Sequence, residues 1–168
     1  MEKYLLAGAM LLLIGGGCVN ATSQTSETVE GWEAAFPSGE YQFVNTDIYR
    51  LPVDYTYTLE QNGENTRIQN FVGSDDPGFV YTDNAFFIEI GTTAMPRSEI
   101  AEIHESTETV ILAGETVMRG NNRAVGGESW SGHSYFNNSN DILIFLSYRH
   151  PAGEALAEAV IQQIHWNE

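Results

Sequence analysis

Short segments in which apolar and polar residues alternate make up much of this chain, and they limit its fold more than any other feature. Residues 41–45 and 53–59 alternate in this way, and both are rich in aromatic and β-branched side chains. A period of two places alternate side chains on opposite faces of a β-strand. The body of the chain is therefore predicted to contain an antiparallel β-sheet with one buried face.

Turn residues separate the predicted strands. Asn62-Gly63 lies between residues 53–59 and residues 66–71, which is typical of a β-hairpin. Asp83-Asn84, between residues 79–81 and 86–91, predicts a second hairpin. Short strands are further predicted at residues 110–112, 115–119 and 122–125, with breaks at Gly114 and Gly120-Asn121, and a central strand at residues 142–148.

Residues 151–166 carry the clearest helix pattern, and residues 96–103 predict a shorter helix or turn. Pro151 suits the first helical position, and Leu156, Val160 and Ile164 repeat every four residues. This stripe is predicted to pack on the sheet. The expected fold class is α+β, with a single antiparallel sheet and a C-terminal amphipathic helix packed on it.

The N-terminal segment has the organisation of an export signal that ends at Cys18, the one cysteine in the sequence. Lys3 precedes an apolar run at residues 4–14, and small residues follow at 15–17. A membrane-spanning helix needs roughly 20 apolar residues, more than this run supplies. Residues 1–17 are therefore predicted to be a signal peptide.

Residues 18–29 are predicted to form a flexible tether that begins at a lipidated Cys18. The residues after Cys18 are rich in Ser, Thr, Gln, Asn and Glu, a composition that does not bury a core. Residues 30–168 are long enough for one folded domain. The predicted location is the extracytoplasmic face of the cell membrane, held by the lipid.

The charge balance excludes nucleic acid as a partner. The chain has 23 acidic against 7 basic residues, a formal net charge of −16, and Lys3 is its one lysine. Phosphate binding requires clustered lysine and arginine. Anionic headgroups also repel an acidic surface, so the membrane is expected to hold the chain through a lipid anchor and not through a basic patch.

Two resemblances extend this interpretation. Gly15-Gly16-Gly17-Cys18 resembles the lipobox of prokaryotic lipoproteins, which implies that the Cys18 thiol receives the lipid. The C-terminal third resembles the end of PsbP/Mog1-like domains, which implies the single-sheet α+β fold and no particular activity. The second resemblance depends on a glycine- and aromatic-rich strand (Gly126, Gly127, Trp130, Gly132, Tyr135, Phe136), the apolar run at 142–148 and the ending Ile164-His165-Trp166.

The leading hypothesis is a non-enzymatic binding or assembly module for a membrane-associated partner, such as a protein. A sugar- or cation-binding module is an alternative. Asp75, Asp76 and Asp83 offer oxygen ligands for calcium, but the full loop pattern is absent, so a solvated acidic loop is favoured and no cofactor is expected. A sugar platform would use the aromatic residues Tyr55, Tyr57, Phe79 and Tyr81, which a sheet more often buries.

A serine hydrolase is the third and weakest hypothesis. Ser129 or Ser131 would be the nucleophile and His133 the base, but their spacing departs from the G-x-S-x-G elbow. Zinc is not expected, because the four histidines lack the helical spacing of zinc peptidases and the body of the chain has no cysteine: they are His104, His133, His150 and His165.

Overall fold

The computed structural model describes residues 32–37, 39–73, 80–122 and 130–167. The chain separates into two units, Met1–Ser38 and Gly39–Glu168. In the first unit, the described residues contain a 3₁₀ turn at Glu33–Ala35, and the rings of Trp32 and Phe36 meet edge to face with their centroids 5.7 Å apart. Every strand and helix named below belongs to the second unit.

A seven-stranded antiparallel sheet is the largest element of the second unit. Its strand order is β3-β4-β5-β9-β8-β7-β6. The strands are β3 (Thr58–Asn62), β4 (Asn65–Gln69), β5 (Phe86–Thr92), β6 (Ser106–Leu112), β7 (Glu115–Asn122), β8 (Ser131–Asn137) and β9 (Ile142–Tyr148).

A smaller antiparallel sheet has the order β1-β2-β10. Its strands are β1 (Tyr41–Asn45), β2 (Tyr49–Asp54) and the two-residue β10 (His165–Trp166). The Tyr49 hydroxyl donates a 2.8 Å hydrogen bond to Thr66 Oγ1, which joins the two sheets. Burial raises the pKa of Tyr49 to about 12 because the phenolate would lose its hydration.

The main hydrophobic core lies between the seven-stranded sheet and a second layer formed by the small sheet and helix α2 (Pro151–Ile161). Alternate residues of β5 and β9 supply the sheet side of this core. We call this face of the large sheet the inner face and the opposite one the outer face. The core includes Val44, Leu51, Ile68, Phe86, Ile88, Ile144, Leu146, Ala157 and Ile161.

Helix α1 (Arg97–Glu102) covers part of the outer face. Its buried Ile100 packs on Met118 and Phe136, which are paired across β7 and β8. Leu143 of β9 packs against the same cluster. The helix therefore covers the β7–β8 side of the outer face.

The predicted fold class is wrong. The chain is mostly β with two antiparallel sheets, and the small sheet is a layer that the single-sheet α+β architecture of PsbP/Mog1-like domains does not include. Strand β10 was not predicted, because two residues are too short for an alternation signal. No strand was predicted at Tyr49-Arg50-Leu51 either, although these residues begin β2.

The C-terminal helix is shorter than predicted, and its buried stripe is shifted from the predicted one, although Val160 and Ile164 of the predicted stripe are buried. It ends at Ile161, not at residue 166, since the chain turns back to pair β10 with β2. Leu156 of the predicted stripe is 36% exposed, whereas Gly153 and Ala157 face the sheet. These small residues bring the helix close to the chain beneath it, because a Cβ at Gly153 would lie 2.6 Å from the Ala85 carbonyl oxygen.

Several local predictions are confirmed and three are wrong. The Asn62-Gly63 hairpin, the 96–103 helix and the 142–148 strand are present. Asp83-Asn84 is a turn but joins no hairpin, because residues 80–82 are not in a strand and β5 pairs with β4 and β9. The strand at 53–59 is wrong, because the Asp54 carboxylate accepts a 2.7 Å hydrogen bond from the Thr56 amide and starts a turn. That hydrogen bond lowers the pKa of Asp54. The break at Gly120-Asn121 is also wrong, since β7 continues through it.

Among the described residues, no helix has the length and apolarity that crossing a membrane requires.

Candidate functional site

A groove of about 430 Å³ lies on the outer face of the large sheet, across β3, β4, β5 and β9. This volume is within the range of about 300–1,000 Å³ typical of small-molecule sites. Helix α1 packs on the neighbouring strands, and Leu143 belongs both to the cluster under that helix and to the lining of the groove. The lining residues are Glu60, Gln61, Asn62, Asn65, Thr66, Arg67, Glu89, Ile90, Gly91, Thr92, Leu143 and Phe145.

Strand register places the charged lining residues in one row across the sheet. Glu60 pairs with Arg67, Arg67 pairs with Glu89, and Glu89 pairs with Phe145. Side chains that are directly opposite in an antiparallel sheet lie on the same face. The row therefore presents a carboxylate, a guanidinium, a second carboxylate and an aromatic ring in that order.

The Arg67–Glu89 ion pair leaves both groups accessible to solvent. Arg67 Nη1 lies 3.5 Å from Glu89 Oε1, and the two side chains are 45% and 50% exposed. The Arg67 guanidinium also lies over the Phe87 ring, 5.4 Å from its centroid. Exposed ion pairs contribute only about 0–1 kcal/mol. A ligand can therefore compete for these charges at little energetic cost.

Gly91 makes room in the floor of the groove for the Asn65 side chain. A Cβ at Gly91 would lie within 3 Å of Asn65 Oδ1, so the amide of Asn65 is placed directly over the glycine. Asn65 is exposed, and its amide forms no hydrogen bond with the described residues. The glycine thus positions an unpaired amide in the groove.

An aromatic cluster lies next to the groove on the outer face. Trp130 is at its centre, with ring centroids 5.8 Å from Phe71, 5.3 Å from Tyr81 and 5.6 Å from Phe87. Phe71 and Tyr81 also meet edge to face at 4.9 Å. Phe87 connects this cluster to the groove, because its ring lies under Arg67.

A second set of polar groups lies on the inner face, between the sheet and α2. His133 Nε2 donates a 2.6 Å hydrogen bond to Glu154 Oε1, since a carboxylate only accepts. The Tyr148 hydroxyl lies 3.1 Å from the same nitrogen. Burial, and next the charge of Glu154, raise the pKa of Tyr148 to about 12. Tyr135 donates a 3.0 Å hydrogen bond to Glu158, and its pKa is raised, first by burial.

Arg119 completes this inner-face network. Its guanidinium contacts Glu108 at 3.1 Å, Glu154 at 3.4 Å and Glu158 at 3.5 Å. Glu154 and Glu158 are one helical turn apart on α2, and Arg119 is on β7. The network therefore fastens the helix to the sheet.

The network does not support the hydrolase hypothesis. Ser131 is exposed and forms no hydrogen bond with His133 among the described residues, and Ser129 lies outside them. His133 Nε2, the nitrogen that a triad would direct at the nucleophile, is bonded to Glu154 instead. His133 Nδ1 is buried without a partner in the described part of the chain.

Most of the predicted lipid and calcium residues lie outside the described residues. Cys18, Asp75 and Asp76 are in this group. Asp83 is described: its side chain is exposed, and its carboxylate lies 3.5 Å from His150 Nε2. Within residues 32–37, 39–73, 80–122 and 130–167, no three acidic, histidine or cysteine side chains are grouped so as to hold a metal ion.

The alternative of an aromatic sugar platform is not supported, because Tyr57 and Tyr81 lie on opposite faces of the sheet. Tyr57 packs edge to face on Phe86 of the inner face, with centroids 5.3 Å apart, whereas Tyr81 belongs to the outer-face cluster. Tyr55 is 60% exposed, and Phe79 lies outside the described residues. The groove was not predicted from the sequence, although alternating polar residues in β4 and β5 were a signal for a polar sheet face.

Comparison with known proteins does not identify a family. No protein-family model matches the chain, and no curated protein matches it. Among solved structures, it is similar to a protein from Bacteroides thetaiotaomicron VPI-5482, with 16% sequence identity and a TM-score of 0.46. The match covers 79% of this chain and 50% of the other, so the chain spans about half of that protein's length. A similarity of this size carries no argument about function.

Proposed function

We propose that the protein is a lipid-anchored extracytoplasmic binding module whose ligand occupies the outer-face groove. The observation that carries the binding role is the groove itself, whose lining includes the exposed amides of Asn62 and Asn65 and the exposed Arg67–Glu89 pair. The anchoring role is supported by Cys18 and the apolar run before it. In this proposal the lipid keeps the module at the membrane, and the groove faces the extracytoplasmic medium.

The shape of the site favours a small ligand or a short segment of a polymer over a broad protein surface. Stable protein interfaces bury about 800 Å² on each partner and have an apolar centre. The groove is a local concavity with carboxylate, guanidinium and amide groups in its lining. A protein partner at the membrane stays a prediction from the sequence.

The binding role can be tested by saturation-transfer NMR on the full chain in a zwitterionic detergent. The probes are water-soluble neutral, anionic and cationic fragments. In Gly91→Val, the new side chain fills the space over which Asn65 lies. We expect fragment signals that this variant abolishes and that Thr109→Val, an exposed change on the edge strand β6, leaves intact. Signals that do not depend on Gly91 would refute the groove as the binding site.

The anchor is tested by intact mass spectrometry of the membrane fraction from a bacterial host. We expect a mature chain that begins at Cys18 and carries a lipid, and a Cys18→Ser variant that lacks this mass. An unmodified wild-type chain released to the medium would refute the anchor and leave the groove untouched. The two experiments therefore test the two halves of the proposal separately.

A further inference from the structure

We infer that the ligand of the outer-face groove is a neutral carbohydrate. This inference rests on the proposed binding function and specifies its ligand class. It depends on three properties of the lining: amides without partners, opposite charges that nearly balance, and an apolar wall next to them. Each property matches one feature of a sugar ring.

The amides match the hydroxyl groups of a sugar. The side chains of Asn62 and Asn65 form no hydrogen bond with the described residues, and Asn65 is held over Gly91 in the floor. A carboxamide offers both a donor group and an acceptor, and a hydroxyl is likewise both donor and acceptor. Adjacent amides can therefore form hydrogen bonds with neighbouring hydroxyl groups of one sugar ring. A ligand with only acceptor groups or only donor groups would not need both functions of an amide.

The charges favour a ligand without a net charge. Arg67 lies between Glu60 and Glu89 in the strand register, so the lining has one cation between two carboxylates. An anionic ligand at Arg67 would also approach the two carboxylates. Calcium requires about 6–8 oxygen ligands, and no cluster of three candidate metal ligands occurs among the described residues. Hydroxyl groups can donate to the carboxylates and accept from the guanidinium without a charge conflict.

The apolar wall matches the C–H face of a sugar ring. Leu143 and Phe145 line the groove, and Phe145 is directly opposite Glu89 in the register. Phe145 is half-buried, so part of its ring can contact a ligand. A sugar can therefore pack its C–H groups on the Phe145 ring while its hydroxyl groups donate hydrogen bonds to the Glu89 carboxylate.

The test titrates the full chain calorimetrically with a panel of neutral oligosaccharides: maltohexaose, cellohexaose, xylohexaose and mannohexaose. The protein is held in a zwitterionic detergent, because alkyl glycosides would compete for the site. Hydrogen exchange with mass spectrometry locates the bound sugar. We expect at least one sugar to bind at up to millimolar concentration and to protect Thr58–Gln69 and Phe86–Thr92.

Two variants and one control assign the binding to the groove. Asn65→Ala removes the amide and is expected to weaken binding about tenfold, the effect of losing one or two hydrogen bonds. Gly91→Ala should weaken it similarly, because the new Cβ displaces the flexible Asn65 amide without touching the inner core. Asn138→Ala changes an exposed asparagine outside the groove and is expected to bind as the wild type does.

The remaining outcomes overturn the inference in distinguishable ways. If no sugar binds but charged fragments give signals that depend on Gly91, the groove binds another ligand class and the proposed function survives. If neither sugars nor fragments bind, both the inference and the binding role fail. If a sugar binds with unchanged affinity to Asn65→Ala and Gly91→Ala, its site is elsewhere and the inference is wrong.

Discussion

Substitution of Gly153 by alanine tests how closely helix α2 approaches the chain beneath it. A Cβ at this position would lie 2.6 Å from the Ala85 carbonyl oxygen and 3.2 Å from the Asn84 carbonyl carbon. The Ala85 oxygen also accepts a 3.0 Å hydrogen bond from the Arg149 amide. Because backbone holds this oxygen in place, the helix itself must move to accommodate a methyl group.

Two opposing terms determine the change in the free energy of unfolding. Alanine stabilises a helix interior by about 0.8–1.0 kcal/mol relative to glycine. Overpacking a close contact costs about 1–3 kcal/mol. We therefore expect Gly153→Ala to lower the unfolding free energy by about 1 kcal/mol, within a range of about 0–2 kcal/mol.

The assay is urea unfolding of the full chain, followed by tryptophan fluorescence and far-UV circular dichroism. An unchanged denaturant slope would show that only stability has changed. Ala155→Gly, at an exposed position of the same helix, is the control, and it should cost about 0.5–1 kcal/mol through helix propensity alone. If Gly153→Ala instead raises stability by the amount that the control lowers it, the close approach of α2 is refuted.

Two further predictions concern the core. Ile161→Ala should lower the unfolding free energy by about 2–5 kcal/mol, because Ile161 is fully buried. Leu156→Ala should lower it by less than about 1 kcal/mol, because Leu156 is 36% exposed. Equal losses for the two variants in urea unfolding would mean that the wrong helix face has been assigned. The raised pKa of Tyr49 keeps its stabilising contribution intact below pH 10 and removes it as the pH rises towards about 12. Between pH 10 and about 12, the unfolding free energy of the wild type should therefore fall by about 2–3 kcal/mol more than that of Tyr49→Phe. If the two proteins lose stability equally over this interval, the assigned burial is contradicted.

Local elements were predictable where one short segment carries the whole signal. The Asn62-Gly63 turn and the apolar run of β9 are such cases, and the structure contains both. The strand expected at 53–59 failed because the Asp54 side chain bonds to the backbone two residues later, which interrupts the alternation. The spacing of apolar residues does not show whether a single polar side chain, here Asp54, starts a turn.

The groove was not predictable in the same way. Glu60, Arg67 and Glu89 come from three strands, and only the hydrogen-bonded register aligns them. A shift of one residue in the register would move each of them to the other face of the sheet. Asn65 and Gly91 are likewise brought together by pairing between strands that are distant in sequence.

The sequence by itself determined the β-rich character of the body, its main hairpin and its central strand, whereas the exclusion of nucleic acid and the anchor at Cys18 stay predictions. These conclusions depend on composition and on neighbours along the chain. Only the tertiary structure decided that a second sheet covers the first, that Gly153 and Ala157 lie on the packed face of α2 beside Val160 and Ile161, and that the outer face holds a groove. These features depend on contacts between segments far apart in sequence, and the spacing of residues within one segment carries no information about such contacts.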